Sequence, residues 1–242
     1  MEFFLEVVRW FGDPANWSGN DGVPVRVFEL VWYSLLASAA AIAVGLPLGL
    51  LIGHTNRGGQ LTILLANQGR ALPTIGIVTI AWTLLGFGYF PVFIALFALG
   101  LPPIVTNAYV GIRSVDPEVR DAAVGMGMTG ARVLREVEVP LATPLIMAGI
   151  RTTVVQTVAT ATIAAFVGLG GVGRYILDGL SQRDFPQVFA GALLAAGLAL
   201  LAEGALAAVQ RAVVPAGMRA QAKAARLDAA ISTPRPAAAT VS

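Results

Sequence analysis

Long apolar runs alternate with short polar interludes along most of this chain, at about 28–53, 61–86, 89–112, 143–167 and 187–213. Each run is long enough, at about 1.5 Å per helical residue, to cross a hydrocarbon layer of about 30 Å. The pattern predicts an all-α membrane protein with about five transmembrane helices. Between the runs lie HTNRGGQ at 54–60, a tight Gly-Phe-Gly turn at 86–88, a charged interlude at 113–140 and a polar link at 168–186. Residues 1–27 set Phe3, Phe4, Trp10, Phe11 and Trp17 among Asp13, Pro14, Asn16 and Gly19. With no basic stretch ahead of an apolar core they read as an interfacial segment or a short outer cap, not as a cleaved signal peptide. Residues 214–242 turn to Ala, Arg, Gln and Pro and read as a disordered tail. The expected division is therefore 1–27, a membrane part at 28–213, and 214–242.

Exceptions to apolarity inside the runs are the informative positions. Ala37, Ala41, Gly45, Gly49 and Gly53 recur every four residues of the first run, a small-residue stripe that lets another helix approach closely. The second run is interrupted by Asn67, Gln68, Gly69 and Arg70 and then by Pro73, and the third by Pro102-Pro103, beyond which Asn107 can satisfy freed carbonyls. Thr143 and Pro144 suit the cap and first turn of the fourth run. That run carries Arg151 beside Thr152, Thr153, Gln156, Thr157, Thr160 and Thr162. Glu203 is the acidic residue of the fifth, and Arg151 with Glu203 forms the natural ion pair. Charged and amide groups at membrane depth face other helices or a wet path, so Arg70, Asn107, Arg151, Gln156 and Glu203 are the candidates for lining a route across the membrane.

The interlude DPEVRDAAVGMGMTGARVLREVEVP at 116–140 opens like a helix. Asp116 suits the N-cap, Pro117 the first turn, and Glu118 the positive end of the dipole. Gly125, Gly127 and Gly130 then loosen the chain, and Thr129 is placed to cap a second short helix that Pro140 closes. Arg113, Arg120, Arg132 and Arg135 cluster here, on the same side as Arg57, Arg211, Arg219, Lys223 and Arg226, against Arg26, Arg174 and Arg183 on the other. Basic residues mark the cytoplasmic face, which puts the N-terminus outside, the C-terminus inside and the helix pair in the cytoplasm.

Composition narrows the chemistry. Of 242 residues 56% are hydrophobic and 12% charged, with a mean hydropathy of +0.75. Soluble domains carry about 25% charged residues, so this balance excludes one. There is no cysteine, and His54 is the single histidine, so no disulfide, no Cys- or His-rich metal site and no resident cofactor is expected. Lys223 is the single lysine, so no phosphate-binding G-x-x-x-x-G-K-[ST] loop exists, and nucleotide hydrolysis belongs to another subunit. GLGGVG at 168–173 spells G-x-G-x-x-G, but it follows a span and not a strand. It therefore reads as a flexible loop and not as a dinucleotide site.

Asp121-Ala122-Ala123, then Gly127, then Val137-Glu138-Val139-Pro140 keeps both spacings of a known signature: Glu-Ala-Ala, three residues, Gly, nine residues, Ile-x-Leu-Pro. In these residues the chain resembles the permease subunits of binding-protein-dependent ABC importers. Pro73-Thr74, GMGMT at 125–129, PLATPLIMAGIRT at 140–152 and ATATIAAFVGLGGVG at 159–173 resemble the osmoprotectant branch, which serves glycine betaine, carnitine, choline and sometimes proline. Arg70 stands where that branch has Gln. The resemblance implies a type I importer fold with a coupling helix that seats in a partner ATPase. On it, Asp121, Ala122, Ala123, Gly125, Gly127, Val137, Val139 and Pro140 make the coupling contacts. It implies as partners a pair of ATPase subunits, a second permease copy or paralogue, an extracytoplasmic solute-binding protein and the bilayer, with no nucleic acid. ATP is then bound by the partner. Other readings are a permease for another small solute, such as a methionine-like amino acid, a stand-alone channel or secondary carrier, and a scaffolding subunit.

Overall fold

The computed structural model describes residues 2–59 and 74–214; among these there are helices and turns and no strand. In chain order they are α1 (Glu2–Gly12), a 3-10 turn (Pro14–Trp17), α2 (Val23–Thr55), α3 (Thr74–Leu85), α4 (Tyr89–Arg113), α5 (Pro117–Gly125) and α6 (Gly130–Val133). A π-helical turn (Leu134–Glu138) leads into α7 (Val139–Thr160), followed by a 3-10 stretch (Ala161–Val167), α8 (Gly173–Gln182) and α9 (Phe185–Val213). Among the described residues four helices are long and apolar enough to cross a membrane: α2, α4, the run Gly130–Val167 and α9. The expected second span is represented by α3; Arg70 and Pro73 lie outside the described residues, as does the expected tail from 215 onward.

Packing fixes the directions. Along the α2 stripe, Cβ atoms placed on Gly45, Gly49 and Gly53 would meet Ile104 at 2.5 Å, the Val105 carbonyl at 2.6 Å and Ile112 at 2.7 Å. Residue numbers rise together on both helices, so α2 and α4 run in the same direction, and the chain must return between them. The small-residue stripe is thus consumed inside the chain: without side chains there, the α4 backbone lies against α2. Against α4, α7 runs the other way, with Gly100 beside Thr153, Ile104 beside Gly149 and Gly111 beside Ala142. One apolar core, with Leu30, Val78, Leu96, Val158 and Val172, fills the end where α2 begins; a smaller one, Ala108, Ile112, Ala142 and Ile146, fills the end where α4 stops. Helix α9 stays on the rim, with only Ala190 and Gly191 buried.

Several expected breaks are absent. Helix α4 runs unbroken through Pro102 and Pro103. Asn107 Nδ2 donates to the Pro103 carbonyl one turn back, 2.8 Å, not to the carbonyls of Ala98 and Leu99 that the prolines leave without an N–H. The Gly100 carbonyl beside the proline pair instead receives the buried Thr153 hydroxyl of α7, 3.0 Å. Pro140 does not close a helix: it sits in the first turn of α7, where its missing N–H is tolerated. The wide turn just before it absorbs the interruption, Val139 N–H reaching back to Leu134. Thr143 lies inside α7 and its hydroxyl donates to the Val139 carbonyl, so it caps nothing. At the other end α9 begins on a cap not foreseen, Asp184, whose carboxylate accepts from the Gln187 N–H at 3.1 Å, with Pro186 in the first turn.

Candidate functional site

The interlude between α4 and α7 builds a rigid arm below the spans. Asp116 caps α5, its Oδ1 accepting from Glu118 N–H at 2.9 Å, and Pro117 starts the helix. Gly127 takes φ +84°, a left-handed conformation that turns the chain sharply. Thr129 stands at the N-cap position of α6 without a side-chain bond. The two alanines divide their work: Ala123 is 2% exposed and packs inward, whereas Asp121 and Ala122 face outward. Beside Ala122, Val124 and Met126 are exposed apolar side chains, Met126 at 77%, on a segment outside the spans. Gly125, Gly127 and Pro140 are exposed and Val137 and Val139 half-buried.

The arm is tied to the spans by a residue the sequence reading counted only as spacing. Glu138, held in the π-helical turn, has 0% exposure. Its Oε1 lies 2.7 Å from Arg120 Nε on α5 and its Oε2 2.7 Å from His54 Nδ1 at the end of α2. The Arg120 Nε–H is not aligned on the carboxylate, so that contact is electrostatic in character, while its Nη2 donates to the Ile112 carbonyl at 3.1 Å. Gly130 leaves room for the imidazole, since a Cβ there would stand 3.3 Å from His54 Nε2. One carboxylate thus joins α2, α5 and the start of α7. Its sequence signal was an acid between two valines at the head of a span, which demands a buried cation.

A second polar cluster lies between α7 and α9. Arg151 Nε stands 3.2 Å from Glu203 Oε1, Arg151 Nη1 donates to Gln210 Oε1 at 3.2 Å, and Gln210 Nε2 reaches the Pro144 carbonyl at 3.4 Å. The Arg151 and Glu203 side chains are 37% and 42% exposed. Gln156 is half-buried further along α7, and Asn107 sits at the α4–α7 contact against Gly149. The structure thus joins Arg151 to Glu203 and leaves Asn107 and Gln156 apart from that pair.

At the opposite end the glycine loop is no slack linker. Gly168 and Gly171 have φ of +78° and +92°, and a Cβ on Gly170 would collide with the Glu29 carboxylate. That carboxylate accepts from Gly171 N–H at 2.7 Å and from Arg26 Nη1 at 2.9 Å, and Arg26 also pairs with Asp21. Tyr175 completes the cluster, donating its hydroxyl to the Asp21 carbonyl at 2.6 Å, and burial pushes its phenol pKa up. The glycines are there to let a span's carboxylate seat on the backbone.

Residues 45–215 match the family profile described as the inner membrane component of binding-protein-dependent transport systems. The chain is 37% identical over 194 residues to a choline transport system permease protein of Bacillus subtilis, covering 80% of this chain and 89% of that one. It is 38% identical over 222 residues to an osmoprotectant import permease protein of Salmonella typhimurium, covering 89% of this chain and all of the other. A glycine betaine/carnitine/choline transport system permease protein of Bacillus subtilis is 37% identical over 191 residues, 79% of this chain and 88% of that one. Among solved structures, inward-facing forms of the MetNI methionine ABC transporter superpose with a TM-score of 0.67 at 20% identity, over 78% of this chain and 95% of that one. That likeness is one of fold.

Proposed function

Because the chain belongs to the family of inner membrane components of binding-protein-dependent transport systems, we propose that it is the permease subunit of an importer for compatible solutes of the betaine, carnitine and choline type. Membership brings an ATPase and a solute-binding protein as partners. Two permease copies, or this chain and a paralogue, enclose the route, and two ATPase subunits drive it. The arm at 116–140 lies in the cytoplasm, with the N-terminus outside. Ala122, Val124 and Met126 seat in the ATPase, Gly125 and Gly127 set the turn behind them, and Val137, Val139 and Pro140 carry the motion into α7. The spans then rock between outward and inward openings. All ATP chemistry takes place on the partner.

One observation carries this reading: an N-capped helix with bare apolar side chains at its tip, locked to α2 and α7 through Glu138. Movement of such an arm moves spans instead of bending a loop. The test is a complete transporter carrying Met126→Glu. Assembly in the membrane should persist, while stimulation of ATP hydrolysis by loaded binding protein disappears and uptake of labelled glycine betaine falls. Undiminished uptake would refute the assignment. Since the chain has no cysteine, Ala122→Cys gives a clean crosslinking site, and capture of the ATPase there is the direct check.

A further inference from the structure

We propose that the Arg151–Glu203 pair is a transit station for zwitterionic solutes: the guanidinium takes the solute's carboxylate and Glu203 its quaternary ammonium. The inference rests on the function proposed above and adds the residues that meet the solute within the membrane.

Depth is the first argument. At about 1.5 Å per residue, Arg151 stands about 18 Å along α7 from Val139 and Glu203 about 15 Å back from Val213. Both are deep within a layer of about 30 Å. Openness is the second. More than a third of each side chain is exposed, and the pair is a loose 3.2 Å contact; the buried Glu138 contacts, by contrast, are 2.7 Å. A charged pair open to hydrocarbon is costly, so this face is covered by water or by protein. The third argument is the neighbourhood. Gln210 of α9 accepts from Arg151 Nη1 and reaches the Pro144 carbonyl two turns earlier on the same face of α7, so the pair lies in a polar seam between the two helices.

The chemistry fits a zwitterion better than an ion of one sign. Arg151 holds Nε 3.2 Å from Glu203 without an aligned hydrogen bond and donates Nη1 to Gln210, and its fork presents to a carboxylate with two N–H bonds once Glu203 lets go. A quaternary ammonium donates no hydrogen bond and needs only a nearby negative charge. Insertion of the solute exchanges one internal pair for two intermolecular ones. The site is neutral whether empty or loaded, so passage strands no charge at low dielectric. A cation without a carboxylate engages Glu203 alone and leaves Arg151 to Gln210.

That asymmetry supplies the experiment: the complete transporter in proteoliposomes, saturated with its unchanged binding protein, tested for uptake of glycine betaine and of choline. Arg151→Gln should lower betaine turnover about tenfold or more, the scale of a lost charge-assisted bond, and choline turnover much less. Glu203→Gln should lower both. The double variant Arg151→Gln/Glu203→Gln leaves no lone charge, so it serves as the assembly control and should lose betaine uptake while keeping its level in the membrane. Equal loss of both solutes in Arg151→Gln, or loss of permease pairing in detergent, makes the ion pair a subunit contact and overturns the inference. Full uptake in all three variants overturns it too. A wild-type complex that imports neither solute overturns the proposed function itself, and the station with it.

Discussion

Glu138 and Gly170 show what single residues carry in this chain. Removing one partner of a buried ion pair costs about 3–5 kcal/mol, because the other charge is left without compensation. Glu138→Leu should therefore free Arg120 and His54 together and loosen the arm, read as faster tryptic cleavage after Arg120 and Arg132 in the purified complex. His54→Gln should be milder, since the imidazole is partly exposed and Arg120 still holds the carboxylate. Gly170→Ala places a methyl group on the Glu29 carboxylate and should lower thermal stability. In a Glu29→Ala background the same change should cost much less, and simple additivity of the two losses would exclude the clash as the cause. Neither residue was legible for its role. Glu138 was one letter in a spacing pattern, and the glycine hexapeptide named a dinucleotide motif that its context ruled out. Nothing local tells that Glu29, 142 positions away from Gly171, supplies the occupant.

At the scale of elements, the periodic signals translated directly. The four-residue recurrence of small side chains predicted close approach, and α4 is what approaches. Gly49→Leu should destabilise the fold by about 1–3 kcal/mol as an overpacked contact, measured as the detergent or heat needed to unfold the purified subunit. The cap at Asp116 was legible from Asp-Pro-Glu and stands as written; Asp116→Ala should cost the arm about 1 kcal/mol. The division between Ala122 and Ala123 was not legible, because adjacent helical residues point about 100° apart and only the packed neighbour decides which is inside. It decides the choice of probe: a charge at Ala123 would damage the arm's own packing, whereas Ala122 and Met126 report on a partner. The prolines misled for a related reason. Pro102, Pro103 and Pro140 read as breaks, yet α4 runs through the first two, packed against α7 with the Thr153 hydroxyl on the Gly100 carbonyl. A π-helical turn absorbs the third, and the α7 contact lies outside the window of local sequence.

For the whole molecule, membership of the transport family places the chain in an inner membrane, and its orientation there is open to measurement. With no native cysteine, Met126→Cys in intact cells should stay unlabelled by a membrane-impermeant maleimide, while Ser18→Cys is labelled. The reverse pattern would invert the proposed topology. The membrane-crossing character of four of the apolar runs, the capped arm and its family signature were determined by the sequence alone, because hydropathy and capping are local and hydrocarbon thickness sets a length that composition must match. Which faces meet, which carboxylate finds which cation, and whether Arg151 and Glu203 stand open or sealed were decided only by the tertiary structure. Those outcomes turn on the rotation of one helix against another, and no periodicity within a single helix specifies its partner.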